Sequence, residues 1–140
     1  MQGASELSGQ KLLIVDDEQS IRTSMSEVLI EAGFCVRFVE DGLSALVEIR
    51  KEIPDILISD LNMPGMSGFE LLSVVRSRFP SIRSIAMSGA FSGDEMPIGV
   101  AADAFYKKGN GVGPLLRIIA GLAQVERLAA KPPVTSAVWI

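Results

Sequence analysis

Acidic side chains stand at the ends of two short apolar runs. Leu12-Leu13-Ile14-Val15 leads directly into Asp16-Asp17, and Ile56-Leu57-Ile58-Ser59 leads into Asp60. Two further runs end in other groups with chemistry: Ile82–Met87 in Ser88, and Ala104–Lys107 in the pair Lys107-Lys108. Three carboxylates gathered at one edge repel one another unless something positive sits between them. A donor set made only of oxygens, without His or Cys, selects a hard cation, Mg²⁺ or Mn²⁺, over zinc. Such an ion keeps several waters and pairs with phosphate oxygens. A serine hydroxyl and a lysine ammonium suit the remaining oxygens of a phosphoryl group. A carboxylate is already ionised at neutral pH and can itself attack phosphorus, forming an aspartyl phosphate. Phosphoryl transfer asks mainly for positioning and charge neutralisation.

The composition narrows the field further. Histidine is absent from the 140 residues, which excludes a Ser-His-Asp triad, a histidine base and histidine-ligated zinc. The one cysteine, Cys35, excludes an internal disulfide and any multi-cysteine metal site. It lies in an apolar run and is expected to be a small core or half-buried residue. A net charge of −4 offers no basic footprint, so direct nucleic-acid binding by this domain is not expected. With 48% hydrophobic and 21% charged residues, the chain reads as one folded domain. Met1–Gln10 is small and polar, without the basic start and apolar stretch of a signal peptide. Nothing approaches the roughly 18 apolar residues of a membrane span. A soluble, cytoplasmic protein with a loose leader over residues 1–10 is expected.

The elements that must position these residues alternate. Buried strands are expected at Leu12–Val15, Phe34–Val39, Asp55–Asp60, Ile82–Met87 and Ala104–Lys107. Between them, Ile21, Met25, Val28, Leu29 and Ala32 share one helical face that Gly33 terminates. Asp41-Gly42 marks the turn into the next helix, whose stripe is Leu46, Ile49 and Ile53 before Pro54. Ser67 is placed to cap a helix lined by Phe69, Leu72, Val75 and Phe79. Leu115–Ala130 reads as a last amphipathic helix through Ile118, Ile119, Leu122 and Val125. The segment Ser92–Ala102 fits a helix poorly because Pro97 and Gly99 lie inside it, and it is expected to be short, distorted or mobile. Strict alternation predicts an α/β fold with a parallel sheet covered on both faces. Ligands of such sheets bind outside the carboxyl ends of the strands, near the topological switch point. Asp16, Asp17, Asp60, Ser88 and the lysine pair all fall there.

Four segments carry a family resemblance: Ile14-Val15-Asp16-Asp17-Glu18, Ile56–Gly68 (ILISDLNMPGMSG), Ala86–Ala90 (AMSGA) and Ala102–Gly109 (ADAFYKKG). Over residues 11–130 the chain resembles the response regulator receiver domains of two-component signalling. The resemblance implies a five-stranded parallel sheet of order 2-1-3-4-5, a flavodoxin-like doubly wound fold with helices on both faces. It implies that Asp60 is the phosphoacceptor, served by a sensor histidine kinase or phosphotransfer protein. Asp17 and Asp60 would ligate Mg²⁺ directly, Asn62 through its backbone carbonyl and Asp16 through water. Ser88 and Lys108 would bind the phosphoryl oxygens, and by strand alternation Lys107 would point to the opposite face, into solvent. Phe105 falls at the family's aromatic switch, coupled to Ser88. The domain would catalyse its own phosphorylation and dephosphorylation and change its partner-binding surface, acting on an unidentified effector or through a phosphorylation-dependent homodimer, away from any membrane.

Gly109 stands where the family usually has proline, which disfavours a cis bond there and loosens the loop holding Lys108. Bland roles compete at two positions: Ser88 as a turn or capping serine, and Phe105 as a core aromatic. Met63, Met66, Met87 and Met96 read as packing, and Trp139 as a tail residue. Ten residues follow Ala130, and the expectation for residues 131–140 is a tail or linker stub rather than an effector. Two other functions stay open. A degenerate receiver would bind partners without being phosphorylated. A Mg²⁺-dependent phosphatase of the aspartyl-phosphate type would want an acid two residues after the nucleophile, where Asn62 stands.

Overall fold

The computed structural model describes residues 9–89 and 97–129, with side chains as far as residue 123. Strands and helices alternate as β1 (Lys11–Val15), α1 (Gln19–Glu31), β2 (Cys35–Val39), α2 (Gly42–Lys51), β3 (Ile56–Asp60), α3 (Gly68–Arg78), β4 (Arg83–Ser88), β5 (Ala104–Lys107) and α4 (Val112–Ala129). The five strands form one sheet in the order β2-β1-β3-β4-β5, and every neighbouring pair is parallel. The flavodoxin-like architecture implied by the sequence is therefore present.

Period-two alternation along the strands builds two cores. Leu13, Val15, Leu57 and Ala86 face Ala45 and Ile49 of α2 and Leu71, Leu72 and Val75 of α3. Leu12, Ile14, Ile56, Ile58, Ile85 and Met87 face Leu29 of α1 and Leu115, Ile119 and Leu122 of α4. Both faces being covered explains why β1 and β3 read as unbroken apolar runs. A one-residue slip would exchange the two faces of a strand, so packing holds the register firmly.

Local chemistry sets the helix ends. Gly33 adopts φ +103°, and the Phe34 N–H bonds Leu29 O at 3.1 Å while the Gly33 N–H bonds Ile30 O at 3.0 Å. This is the Schellman termination that glycine at C′ permits, and Leu29 and Phe34 pack in the same core. Asp41 caps α2 through Ser44 N at 2.7 Å. Ser67 and Glu70 form a full capping box at the start of α3.

Several expectations need correction. Val28 is 38% exposed while Ser26 is buried, because the inward seam of α1 runs through Met25 and Leu29 and leaves Val28 beside it. Ala32, read on the same face, is the exposed C-cap residue. Ile53 lies past the end of α2 and is exposed, so Ala45 and Ile49 supply that helix's buried face. Cys35 is exposed rather than buried, since it opens β2, the edge strand, opposite Lys11. The last helix begins at Val112, three residues before the first expected position. Of the segment Ser92–Ala102, expected to fit a helix poorly, residues 97–102 are not helical, and Gly99 takes φ +89°. The rest of that segment, with Met96, lies outside the described residues, as do Val125's side chain, the leader up to residue 8 and the tail with Trp139.

One glycine controls how α3 approaches the sheet. A Cβ on Gly68 would collide with the Asp60 carbonyl oxygen and lie 2.6 Å from Leu61 Cα, while its N–H bonds Leu61 O at 3.1 Å. Gly65 instead needs glycine for its φ of +77° and has open space around it. Gly68→Ala is expected to destabilise the fold by about 1–3 kcal/mol through overpacking of backbone against backbone. Gly65→Ala should lose only about 1–2 kcal/mol for the left-handed conformation. Urea midpoints of the two variants measure the difference, and Gly68→Ala alone should also shift the amide resonances of Asp60 and Leu61.

Candidate functional site

β1 and β3 are hydrogen-bonded neighbours, while the chain between them crosses out to β2 and back. The carboxyl ends of β1 and β3 are thus the topological switch point, where a crevice opens in sheets of this kind. Asp16 and Asp17 follow β1 and Asp60 ends β3. One oxygen from each of the three carboxylates lies within 4.8 Å of the others. Asp16 and Asp60 are buried and Asp17 is exposed. The crevice has a volume of about 340 Å³ and is lined by Asp17, Glu18, Asp60, Asn62, Gly89 and Lys108.

Lys108 supplies the counter-charge. It follows β5, and its ammonium lies 2.9 Å from Asp16 Oδ2, 3.0 Å from Asp60 Oδ2 and 3.2 Å from Glu18 Oε1. Backbone pairing of Lys108 N to Ser88 O at 3.1 Å fixes where its side chain starts. Burial works against the ammonium's charge, but hydrogen bonds and charge from Asp16 and Asp60 outweigh it and hold the pKa above the ordinary lysine range. Asp60 moves the other way from most paired carboxylates. Burial raises its pKa, and the Lys108 ammonium and the Asn62 N–H offset this only in part. Four carboxylates around one ammonium leave the crevice short of positive charge.

The donor set suits a hard divalent cation. Every available donor at the three carboxylates is oxygen. Asp16 Oδ1 accepts the Glu18 N–H at 2.8 Å, and its buried Oδ2 has the Lys108 ammonium at 2.9 Å as counter-charge. Three carboxylate oxygens within 4.8 Å of one another, with one ammonium between two of them, form the arrangement a bound hard cation would complete.

Ser88 is fully buried at the end of β4, and its Oγ accepts the Asn62 Nδ2–H at 3.2 Å. Asn62 also donates its backbone N–H to Asp60 Oδ1 at 3.2 Å. Phe105 is half-buried on β5 opposite Ala86, and it packs against the core under α2 and α3. Ser88 stands two residues along β4 from Ala86, hence on the same face. Lys107 pairs in register with Ser88 and is half-buried rather than solvent-facing. Asp16, Asp17, Asp60, Asn62, Ser88 and Lys108 therefore meet at one edge, with Phe105 one layer below.

Sequence reasoning missed two contacts. Glu18 was visible as the acid after Asp16-Asp17, yet its ion pair with Lys108 needs the fold. The Asn62 side chain reaches Ser88, a contact that spans 26 residues and leaves no trace in local spacing.

Comparison with known proteins agrees with this geometry. A family model described as the response regulator receiver domain matches residues 12–106. The response regulator protein FleR of Pseudomonas aeruginosa is 35% identical over 78 residues, 56% of this chain and 16% of FleR. The chain thus matches only a small part of the longer curated relative. Chemotaxis response regulator CheY4 of Vibrio cholerae is 33% identical, with TM-score 0.71, covering 80% of this chain and 97% of that one. Response regulator protein TrrA of Thermotoga maritima, solved with Mg²⁺ and BeF, is 30% identical with TM-score 0.74, covering 81% of this chain and 98% of that one. TrrA has also been solved in complex with histidine kinase ThkA. With the 2-1-3-4-5 sheet, the acidic crevice and a family match across most of the described residues, this chain belongs to the response regulator receiver domains of two-component systems.

Proposed function

We propose that the domain is a phosphorylation-activated switch in which Asp60 accepts a phosphoryl group from a histidine kinase or phosphotransfer protein. The observation that carries this reading is the Lys108 ammonium held 3.0 Å from Asp60 and 2.9 Å from Asp16 at the switch point of the sheet. The TrrA–ThkA complex supports a kinase as donor. An Asp60 carboxylate oxygen attacks the phosphorus, a P–O bond forms, and the P–N bond of phosphohistidine breaks, leaving the imidazole to take up a proton. Mg²⁺ held by Asp17, Asp60, the Asn62 carbonyl and, through water, Asp16 would neutralise phosphoryl charge during transfer. Lys108 is placed to exchange its contact with the Asp60 carboxylate for the new phosphoryl oxygens. Asn62 Nδ2 and Ser88 Oγ are within reach of the same space.

The switch follows from charge. A phosphoryl group brings about 1.5–2 negative charges and strong acceptor oxygens. Ser88 turns its hydroxyl toward them and releases the Asn62 amide. Phe105, half-buried on the same face of the sheet, then repacks toward the space Ser88 leaves and alters the surface around β5. An effector, or a second copy of the domain, would read that surface. Catalysis here is the domain's own phosphorylation and hydrolysis.

Incubation with acetyl phosphate and Mg²⁺ should add one phosphoryl group by intact mass, and Asp60→Asn or chelation should abolish it. No adduct, together with no beryllofluoride complex, would favour a phosphorylation-independent binding module. Turnover of an external phosphomonoester would instead favour a phosphatase.

The charge imbalance also predicts a pH-dependent stability. Folding raises the Asp60 pKa, so the folded state holds that proton more tightly than the unfolded chain does. The carboxyl therefore favours folding below its unfolded pKa, and this contribution is lost as pH rises through the folded value. Asp60→Asn should raise the thermal midpoint at pH 7, and the gain should shrink as pH falls toward about 4. Mg²⁺ should raise the wild-type midpoint by mass action, an effect that Asp17→Asn removes.

A further inference from the structure

Glu18 is the fourth acid of the crevice and the one that transfer to Asp60 does not require. It is the N-cap residue of α1, yet its side chain makes no capping hydrogen bond, where Ser, Asp or Asn would stabilise the helix end. Its backbone is held on both sides. The Glu18 N–H donates to Asp16 Oδ1 at 2.8 Å, and its carbonyl accepts the Arg22 N–H at 3.1 Å. The carboxylate is left to reach across the crevice, where Oε1 lies 3.2 Å from the ammonium of Lys108, 90 residues along the chain.

An ammonium has three hydrogens, and Asp16 Oδ2, Asp60 Oδ2 and Glu18 Oε1 surround this one at 2.9, 3.0 and 3.2 Å. The two aspartates are buried, whereas the Glu18 side chain is 60% exposed and lines the crevice. An incoming phosphoryl oxygen therefore competes with Glu18 for Lys108 and meets its negative charge on the way to Asp60. Both costs are larger for a donor that carries more charge and leans more on the ammonium. We propose that Glu18 is a positioning residue that selects the phosphodonor, holding Lys108 back and so disfavouring small, free, dianionic donors. The inference rests on Asp60 being the phosphoacceptor. A phosphohistidine carried by a docked protein is affected less, because contacts remote from the phosphoryl group supply binding energy that a free donor lacks. The domain thus answers a protein donor in preference to small acyl phosphates.

The test compares two small donors on the full chain, near neutral pH and with Mg²⁺ saturating for each protein. Acetyl phosphate is a dianion there and releases acetate, while phosphoramidate is a monoanion and releases ammonia. In each case an Asp60 oxygen replaces the leaving group on phosphorus. Initial rates of adduct formation by intact mass give a donor ratio for each protein. Glu18→Gln should raise the acetyl phosphate rate about two- to fivefold, the span of an exposed ion pair, and the phosphoramidate rate less. Added salt should shrink that change of ratio. Glu18→Ser, which supplies an N-cap in place of the acid, should change the ratio equally with a thermal midpoint no lower than wild type. Glu31→Gln removes the same charge at the far end of α1 and should leave the ratio unchanged. An unmoved ratio in both Glu18 variants, or both donors slowed alike, makes Glu18 a helix-end acid only and overturns the inference while Asp60 remains the acceptor. An equal change in Glu31→Gln assigns the effect to net charge and also overturns it. Where neither donor labels the wild type, beryllofluoride affinity replaces the rates and should rise about two- to fivefold in Glu18→Gln. An unchanged affinity then overturns the inference, and no complex in any of the proteins removes the acceptor role of Asp60 along with it.

Discussion

Two buried strands side by side force like charges together, and the rest of the site answers to that constraint. β1 and β3 are hydrogen-bonded to each other and covered on both faces, so neither can slide or twist to separate Asp16 from Asp60. Each fully buried Leu or Ile side chain in those strands contributes about 1.5–3 kcal/mol, and this packing holds the carboxylates against their mutual repulsion. The counter-charge comes from the far side of the sheet. β5 borders β4, not β3, and Lys108 spans that gap with its side chain to reach both acids. A long flexible cation suits this role because its ammonium can reach both acids from a strand that borders neither.

The loop that carries Lys108 departs from the family at Gly109, and its anchoring differs accordingly. Gly109 and Gly111 both take positive φ, +94° and +84°, conformations glycine adopts without steric cost. Tyr106 compensates by donating its hydroxyl to Gly111 O at 2.7 Å, and burial raises the pKa of that phenol. The Lys108 N–H also remains bound to Ser88 O. Lys108 is therefore positioned by strand pairing on one side and a tyrosine tether on the other, without a proline between them.

The two ends of the sheet are chemically opposite. Carboxylates crowd the carboxyl edge, while arginines from α3 and β4 gather at the amino edge around Asp103. Asp103 joins the entry of β5 to β4.

Much of this was legible from residue order alone. Apolar runs ending in acids located β1 and β3 because a strand buried on both faces cannot tolerate polar residues until it leaves the core. Gly33 and the Ser67–Glu70 box marked helix ends because their backbone requirements are local. The motif around Asp60 identified the family, and with it the sheet order. What residue order could not reveal depended on distance between segments remote in the chain. The exposure of Cys35 and Ile53, the burial of Ser26, the Glu18–Lys108 ion pair and the Asn62–Ser88 hydrogen bond all follow from which element lies against which. The same holds for the raised pKa of Asp60, which arises because burial outweighs a cation 48 residues away. Periodicity and capping are properties of neighbours along the chain, whereas burial and charge balance belong to neighbours in space.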